Sequence, residues 1–135
     1  MTIAVVIPAY NEAATIADIV HRARRQIEWV IVVDDGSRDD TAARAEAAGA
    51  VVVRQPINQG KGASLWHGMQ TALAKGAEAV ITLDADGQHR PEDIPKLLAA
   101  RPRRPSCPII AARLQCRQAA PRLRRFANGM ADFWV

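Results

Sequence analysis

The segment Asp84-Ala85-Asp86 places two carboxylates two residues apart, directly after the Val- and Ile-rich stretch 80–83. Side chains alternate along an extended chain, so we expect both carboxylates to project to the same side. Paired carboxylate oxygens are ligands for a hard divalent cation, and they leave coordination positions for water and for a diphosphate. Gln88 continues the alternation and would add a neutral oxygen. The alternative is a simple Asp-rich turn, because Asp and Gly are common turn formers.

Three further polar segments follow apolar stretches of the chain. One carboxylate of the pair Asp34 and Asp35 could accept hydrogen bonds from a base or a ribose hydroxyl, while the other braces the turn at Gly36. Lys61, between two glycines, either approaches a phosphate or lies in solvent, and the ring of Tyr10 either stacks on a base or is a partly buried aromatic. The glycine spacing matches neither the dinucleotide-binding motif nor the P-loop. The three segments are Pro8-Ala9-Tyr10-Asn11-Glu12, Asp34-Asp35-Gly36-Ser37 and Asn58-Gln59-Gly60-Lys61-Gly62.

The elements that must position these segments are predicted from the alternation of apolar runs with segments of helical period. Runs rich in Val and Ile, apolar on both faces, are typical of strands in a parallel sheet that helices cover. The sequence therefore predicts an α/β fold, with a doubly wound, mostly parallel sheet and helices on both faces. In such sheets ligands bind beyond the carboxyl ends of the strands, so the four polar segments should converge on one edge. The predicted strands are residues 3–7, 29–33, 51–53, 80–83 and 109–112.

Four helices are predicted between these strands, and a further one near the C-terminus. The first carries apolar residues at helical spacing over 16–27, and Asn11 is its predicted N-cap. The second begins near Ser37-Arg38-Asp39-Asp40, a capping-box pattern, and ends at Gly49. The third spans 62–75, and the fourth begins at Pro91, a residue favoured in the first helical turn.

The chain has 135 residues, enough for one compact domain and too few for two ordinary ones. Apolar residues make up 49% and charged residues 24%, as in an average globular protein, which excludes wholesale disorder. No apolar run approaches the length of a membrane-spanning helix, and the N-terminus lacks the positive region of a secretory signal, so we expect a cytoplasmic protein. Cys107 and Cys116 are expected to be reduced, because they form neither a disulfide framework nor a zinc-binding spacing.

The net charge of +4 is distributed unevenly along the chain. Residues 1–100 hold 10 basic against 13 acidic side chains, whereas residues 101–135 hold 8 Arg against the single Asp132. This basic C-terminal segment is either a solvated face or a surface for an anionic partner. It lacks the interleaved aromatic residues and the motifs of nucleic-acid-binding proteins, so we expect no nucleic acid. An anionic membrane surface fits its charge, which predicts peripheral binding at the inner face of the membrane.

Taken together, the four polar segments resemble those of the family 2 glycosyltransferases, a group of inverting enzymes with the GT-A fold. They are most similar to the branch of dolichyl- or polyprenyl-phosphate mannose and glucose synthases. The resemblance is dense over residues 3–95 and looser towards the C-terminus. It is carried by Val6-Ile7-Pro8-Ala9-Tyr10-Asn11-Glu12, Val32-Val33-Asp34-Asp35-Gly36-Ser37, Asn58-Gln59-Gly60-Lys61-Gly62 and Leu83-Asp84-Ala85-Asp86-Gly87-Gln88-His89.

The resemblance implies a metal-dependent transfer of a hexose from a UDP- or GDP-sugar to a polyprenyl phosphate, or otherwise to a glycan. It implies Mg²⁺ or Mn²⁺ as the cofactor, held by Asp84, Asp86 and Gln88. A polyprenyl phosphate needs no general base, because its oxygen is already anionic at neutral pH, and no catalytic residue is assigned. The donor-binding residues expected on these grounds are Pro8, Ala9, Tyr10, Glu12, Asp35, Lys61, Asp84, Ala85, Asp86 and Arg113.

The sequence departs from the family pattern at its far end. Family members usually continue beyond the region of Arg113 into an acceptor-binding half, whereas this sequence ends at Val135. We therefore expect a single donor-binding domain over 1–135, truncated before the acceptor half. A homodimer is expected to bury the apolar stripe that this leaves uncovered, formed by Phe126, Met130, Phe133 and Trp134.

Two other functions are open alternatives. A donor-binding fragment or partner subunit would bind a nucleotide sugar without turnover. A phosphatase of the haloacid-dehalogenase type also places an Asp-x-Asp-Gly motif after a strand, as residues 80–87 do. Such enzymes carry that motif near the start of the domain, with a lysine and further acidic residues well downstream, and this sequence does not follow that order.

Overall fold

Four parallel strands form one sheet in the computed structural model, which describes residues 2–99. They lie in the order β3-β2-β1-β4, and in this register Val5 of β1 is the partner of Val30 in β2 and of Ile81 in β4. The chain divides after Ile94 into two units, and the sheet lies entirely in the first, Met1–Ile94. The strands are β1 (Ile3–Ala9), β2 (Trp29–Asp35), β3 (Val51–Gln55) and β4 (Ala79–Thr82).

Helices connect the strands, and a turn of 3₁₀ helix at Pro91–Asp93 follows β4. The doubly wound α/β fold predicted from the sequence is confirmed over these residues. The predicted fifth strand, 109–112, lies outside the described residues, as do Arg113, Cys107, Cys116, the basic C-terminal segment and the predicted apolar stripe. The helices are α1 (Ile16–Arg24), α2 (Thr41–Ala47), α3 (Lys61–Ala74) and α4 (Ile94–Ala99).

The two central strands are buried because helices cover both faces of the sheet. Val6 and Val33 lie in the core cluster on the face that α3 covers, and Gly68 of α3 approaches so closely that an added Cβ would lie 2.3 Å from Val6 Cγ1. The strand order reverses after β3, and right-handed crossovers then place α1 and α2 on the opposite face. There the apolar stripe of α1, which includes Ile16 and Ile19, is fully buried.

The edge strands of the described sheet, β3 and β4, are only partly buried. Val51 in β3 is 42% exposed, and no residue of β4 is fully buried. Both lie at an edge of this sheet, since neither has a second neighbouring strand within residues 2–99. Over the same residues, no helix is both long and apolar enough to cross a membrane.

Arg22 of α1 holds the 3₁₀ turn against the helix. Its Nε and Nη2 atoms donate hydrogen bonds of 2.7 and 2.6 Å to the two carboxylate oxygens of Glu92, and Nη1 contacts Asp18 one helical turn earlier at 3.1 Å. The hydrogen bonds from Arg22 lower the pKa of Glu92 to about 2, and those to Glu92 and Asp18 raise the pKa of Arg22. This paired arrangement fixes the chain that follows the Asp84-Ala85-Asp86 segment.

The starts of the first two helices differ from the predicted ones. Thr15, not Asn11, occupies the N-cap position of α1, and Asn11 has instead a φ of 52°. α2 begins at Thr41, and its N-cap is Asp40, the last residue of the predicted capping-box segment, and not Ser37. In both cases polar side chains that favour helix starts are bonded to a neighbouring loop, which local sequence patterns do not reveal.

Candidate functional site

The loops after the four strands surround an open cavity of about 390 Å³ at the carboxyl edge of the sheet. The chain runs from β1 towards β2 on one side and later reaches β4 on the other, and ligands of such sheets bind in the crevice at this reversal. Nine of the ten predicted donor-binding residues line the cavity, whereas Gln88, the third predicted metal ligand, does not. The lining residues are Pro8, Ala9, Tyr10, Glu12, Asp35, Asn58, Gly60, Lys61, Ser64, Asp84, Ala85 and Asp86.

Asn11 joins the loop after β1 to the loop after β2. Its φ of 52° lies in the left-handed region, which Asn tolerates better than most residues do. Its backbone N–H donates to Ser37 Oγ at 2.9 Å, and its side-chain oxygen accepts from the N–H of Arg38 at 2.9 Å. The N–H of Glu12 donates to Thr41 Oγ1, also at 2.9 Å. The cavity wall formed by the β1 loop is therefore fixed from the β2 side.

Asp39 braces the same junction at the start of α2. Its carboxylate accepts hydrogen bonds from the N–H groups of Thr41 at 3.0 Å and Ala13 at 3.3 Å, and from the Thr41 hydroxyl. The hydroxyl contact, supported by the backbone donors, lowers the pKa of Asp39. A charged Asp39 thus links α2 to the loop after β1 without lining the cavity.

Asp35 holds the loop between β3 and α3. Its side chain is buried, and its two carboxylate oxygens accept hydrogen bonds from the N–H groups of Gln59 at 2.7 Å and Gly60 at 2.9 Å. Charge-assisted bonds to backbone donors compensate the burial of the carboxylate. The residue predicted to contact a nucleotide therefore also sets the position of the loop that bears Lys61.

Asp34 and Asp35 take different places at the end of β2. Asp35 lines the cavity, whereas Asp34 Oδ1 accepts the N–H of Ser37 at 3.2 Å and braces the turn. Gly36, which directly follows Asp35, has a φ of 74°. A Cβ added to it would lie 2.8 Å from the backbone N of Asn58. Only glycine allows the β2 and β3 loops to approach this closely.

Asp84 already has a cationic neighbour within the cavity. Lys61 Nζ lies 2.5 Å from Asp84 Oδ1. His89 Nδ1 accepts the backbone N–H of Asp84 at 2.9 Å, so a neutral ring carries its proton on Nε2, 3.6 Å from Asp84 Oδ2. The carboxylate is 26% exposed and accessible from the cavity. This position attracts positive charge.

The backbone between the two carboxylates is anchored from α1. The Thr15 hydroxyl donates a hydrogen bond of 2.6 Å to the carbonyl oxygen of Ala85, which is itself buried. Asp86 is exposed, and its Oδ1 accepts the backbone N–H of Gln88 at 2.9 Å, closing a short turn. The anchored carbonyl fixes the chain from which both Asp84 and Asp86 project.

The described part of the chain offers few metal ligands. Within residues 2–99, no group of three or more His, Cys, Asp or Glu side chains is placed to hold a metal ion. The cavity nevertheless holds the two carboxylates of Asp84 and Asp86, which are hard oxygen donors. A cation held there would take its remaining ligands from water or from a bound phosphate, as Mg²⁺ sites commonly do.

Sequence reasoning did not assign four residues that build this site. Asn58 and Gly60 belong to the polar segment 58–62, which sequence reasoning did single out. Ser64 lies in the first turn of α3 and is fully buried, with its hydroxyl 3.4 Å from Gln55 Oε1. Thr15 carries no motif signal, since its bond to Ala85 joins residues 70 positions apart. Its place just before the apolar stripe of α1 is the only available clue.

The chain matches known proteins along most of its length. A family model described as glycosyl transferase family 2 matches residues 4–131. The chain is 31% identical over 111 residues to the UDP-N-acetylglucosamine–dolichyl-phosphate N-acetylglucosaminyltransferase of Methanococcus voltae, covering 69% of this chain and 44% of that protein. It is 36% identical over 105 residues to the polyprenol monophosphomannose synthase of Mycolicibacterium smegmatis, covering 71% and 39%. The chain thus spans less than half the length of these curated relatives.

Solved structures share the fold. Glucosyl-3-phosphoglycerate synthase from Mycobacterium tuberculosis, crystallised with Mn²⁺, UDP and glucosyl-3-phosphoglycerate, superposes with a TM-score of 0.61 at 35% identity, over 73% of this chain and 38% of that one. A structure of the same enzyme with Mg²⁺ and UDP gives a TM-score of 0.59 at 34% identity, with the same coverage of both chains.

Proposed function

The chain belongs to glycosyltransferase family 2, and on that premise we propose that it is the donor-binding domain of a metal-dependent, inverting hexosyltransferase. The donor is a UDP- or GDP-sugar and the acceptor a polyprenyl phosphate. The observation that carries the proposal is the one cavity lined by Asp35, Lys61, Asp84 and Asp86, which brings together groups suited to a base, a diphosphate and a cation.

The nucleoside is assigned to the part of the cavity near Asp35 and Tyr10. Tyr10 is 45% exposed, so its ring is available to stack on a base. Asp35 uses its oxygens for two backbone donors, and a carboxylate retains further lone pairs for a base or ribose hydrogen. Pro8, Ala9 and Glu12, which line the same cavity, are assigned to the nucleoside as well. The cavity volume of about 390 Å³ falls within the range of small-molecule sites.

A divalent ion, Mg²⁺ or Mn²⁺, is assigned to Asp84 and Asp86, with Gln88 as a further oxygen donor. Support comes from the two hard carboxylate donors that line the same cavity, which leave further coordination positions to water and to the donor diphosphate. When bound, such an ion stabilises the negative charge that develops on a departing nucleoside diphosphate. Thr15, through the carbonyl of Ala85, orients the segment that holds it.

Lys61 and Arg113 are assigned to the diphosphate. The Lys61 side chain is 61% exposed and ends inside the cavity, so its ammonium can reach an anionic group there. Arg113 lies outside the described residues, and its assignment rests on its place in the sequence. Both side chains would bind and orient the leaving group rather than transfer a proton.

The polyprenyl phosphate acceptor is supported by what the names of the two curated relatives say of them. A phosphate oxygen is anionic at neutral pH and can attack the anomeric carbon without a general base. The proposal therefore assigns no catalytic base to this chain. A glycan acceptor would need one.

Calorimetry tests the proposal with UDP-glucose and GDP-mannose, each with Mn²⁺ and with EDTA. We expect one of the two donors to bind only with the metal present. Equal affinity in Mn²⁺ and EDTA would contradict the metal assignment, and no binding of either donor would contradict the donor assignment.

Turnover is the second measurement, because a partner subunit that binds donor without transferring it is the remaining alternative. Sugar transfer to undecaprenyl phosphate supports the enzyme, whereas metal-dependent donor binding without transfer supports the partner subunit. Family membership argues for sugar transfer and against the phosphatase alternative. Hydrolysis of p-nitrophenyl phosphate would restore it.

A further inference from the structure

Lys61 and Asp84 form an ion pair at the position where the proposed function requires a metal ion. The distance from Lys61 Nζ to Asp84 Oδ1 is 2.5 Å. We propose that Lys61 is a resident cation that neutralises Asp84 in the nucleotide-free protein and must leave before a divalent ion binds. This inference rests on the proposed function and adds to it an order of events: the donor diphosphate draws Lys61 away and thereby opens the metal site.

The backbone that carries Lys61 is fixed. Asp35 holds the N–H groups of the two preceding residues, Gln59 and Gly60, at 2.7 and 2.9 Å. Gly60 has a φ of 92° and ends the loop, so Lys61 is the first residue of α3. The starting point of the side chain is therefore set by a buried carboxylate rather than by the Asp84 contact.

The side chain of Lys61, in contrast, is free to change partner. It is 61% exposed, and within residues 2–99 the ion pair with Asp84 is the one side-chain contact that its ammonium makes. Exposed ion pairs contribute little to stability, so breaking this one costs little. Because the Lys61 side chain has four flexible methylene groups on a fixed backbone, its ammonium can move from Asp84 to another anion in the same cavity.

A divalent ion and the Lys61 ammonium cannot share Asp84 at low cost. Mg²⁺ lies about 2.1 Å from its oxygen ligands, so an ion on this carboxylate would stand within a few ångströms of the ammonium. Like charges at that separation repel strongly in a partly buried site. A metal ion therefore binds the nucleotide-free protein more weakly, because part of its binding free energy is used to displace Lys61 from Asp84.

A bound diphosphate removes this penalty. It offers the ammonium a second anionic partner, and the metal then meets an unpaired Asp84. Nucleotide and metal therefore favour each other's binding by more than their direct contact provides. His89 Nε2 lies 3.6 Å from the other oxygen of Asp84, and its Nδ1 accepts the Asp84 backbone N–H, a bond that does not depend on Lys61.

The test measures Mn²⁺ binding to the nucleotide-free full chain by the electron paramagnetic resonance signal of free Mn²⁺. We expect Lys61→Gln to raise Mn²⁺ affinity about threefold to fivefold, the size of one exposed ion pair. Lys61→Arg retains the charge and should keep the wild-type affinity. Lys75→Gln is the matched control, because Lys75 caps the other end of α3 and its loss changes the net charge equally.

Unchanged or weaker Mn²⁺ binding by Lys61→Gln would overturn the inference, as would an equal gain in Lys75→Gln. Circular dichroism melts establish that each variant is folded. The same titration with UDP present separates the two proposals: wild type that binds Mn²⁺ with UDP supports the proposed function even if Lys61→Gln shows no gain. Wild type that binds no Mn²⁺ in either condition contradicts both.

Discussion

The hydroxyl of Thr15, at the N-cap of α1, donates a 2.6 Å hydrogen bond to the carbonyl oxygen of Ala85. Ala85 lies between Asp84 and Asp86 in the sequence. The start of α1 therefore helps to position the backbone that carries both carboxylates. The same hydroxyl lies 3.3 Å from Glu12 Oε2, which adds a second cavity residue to the arrangement. A single side chain thus connects the loops after the first and fourth strands.

Replacing Thr15 with Val should weaken metal binding without removing a metal ligand. The Ala85 carbonyl loses its donor, and we expect Mn²⁺ affinity in the presence of UDP to fall about threefold to tenfold, as for one lost hydrogen bond. Thr15→Ser retains the hydroxyl and should restore most of the affinity. If Thr15→Val binds Mn²⁺ as wild type does, the Ala85 contact does not orient the carboxylates.

Replacing Asp86 with Ala should abolish the metal-dependent part of UDP binding. Asp86 is exposed, so its removal leaves no cavity, and the thermal midpoint should be unchanged. Calorimetry with Mn²⁺ should then give the affinity that wild type shows in EDTA. Glu28→Ala is the control, since it removes an equal charge from an exposed position just before β2. A metal-dependent gain that persists in Asp86→Ala would contradict the assignment.

The Arg22–Glu92 pair predicts a pH dependence of stability. Arg22 holds the pKa of Glu92 at about 2, below its ordinary value of 4.5, so the pair's stabilisation is present above pH 4.5 and is lost as the pH falls towards 2. Glu92→Gln should melt at a lower temperature than wild type at pH 7, and the gap should close over that acidic window. Asp18→Asn, which removes a more exposed partner of Arg22, should have a smaller effect. A gap independent of pH would rule out the ion pair as its cause.

Gly68 on α3 should not tolerate a methyl group. An added Cβ would lie 2.3 Å from Val6 Cγ1 and 3.0 Å from Val33 Cγ2, so Gly68→Ala should lower the free energy of unfolding by about 1–3 kcal/mol. Gly62→Ala, in the same helix, meets nothing within 4 Å and should stabilise the protein by up to about 1 kcal/mol. Urea denaturation measures both. Equal effects would show that helix propensity, not packing, governs these positions.

The basic C-terminal segment, 101–135, should direct the chain to anionic lipid. It carries 8 Arg, and we expect co-sedimentation with phosphatidylglycerol vesicles, little with phosphatidylcholine vesicles, and loss of binding in high salt. Replacing Arg122, Arg124 and Arg125 with Gln should reduce the sedimented fraction. No preference for anionic vesicles would remove the predicted membrane surface.

The sequence predicts the sheet and the identity of the cavity residues because both follow from local pattern and from topology. Buried runs in a parallel order force their carboxyl ends to one edge, and so Asp35 and Asp84 had to lie near each other. The bonds that position them could not be predicted. Asn11 looked like a helix cap and instead joins two loops, because its partners, Ser37 and Arg38, come into reach only after folding.

The order of the strands within the sheet was not predicted from the sequence. The Val-rich run of β3 is as apolar in sequence as the run of β2, yet β3 lies at an edge of the described sheet and β2 at its centre. Apolar composition predicts that a segment forms a strand, but it does not predict whether that strand lies at the centre or at the edge of the sheet. Strand order depends on contacts between distant segments, so the residues of one segment do not reveal it.

The exposed edge at β3 also bears on the behaviour of the protein in concentrated solution. Within residues 2–99, the outer backbone of Val51, Val52 and Val53 has no neighbouring strand, and such edges are templates for pairing with another chain. Arg54 follows the valines, and its guanidinium is held at 3.1 Å from Glu46 of α2, so it keeps a charge beside the edge. Charged side chains beside an exposed edge oppose pairing with another chain, so an apolar replacement of Arg54 should lower the yield of soluble protein.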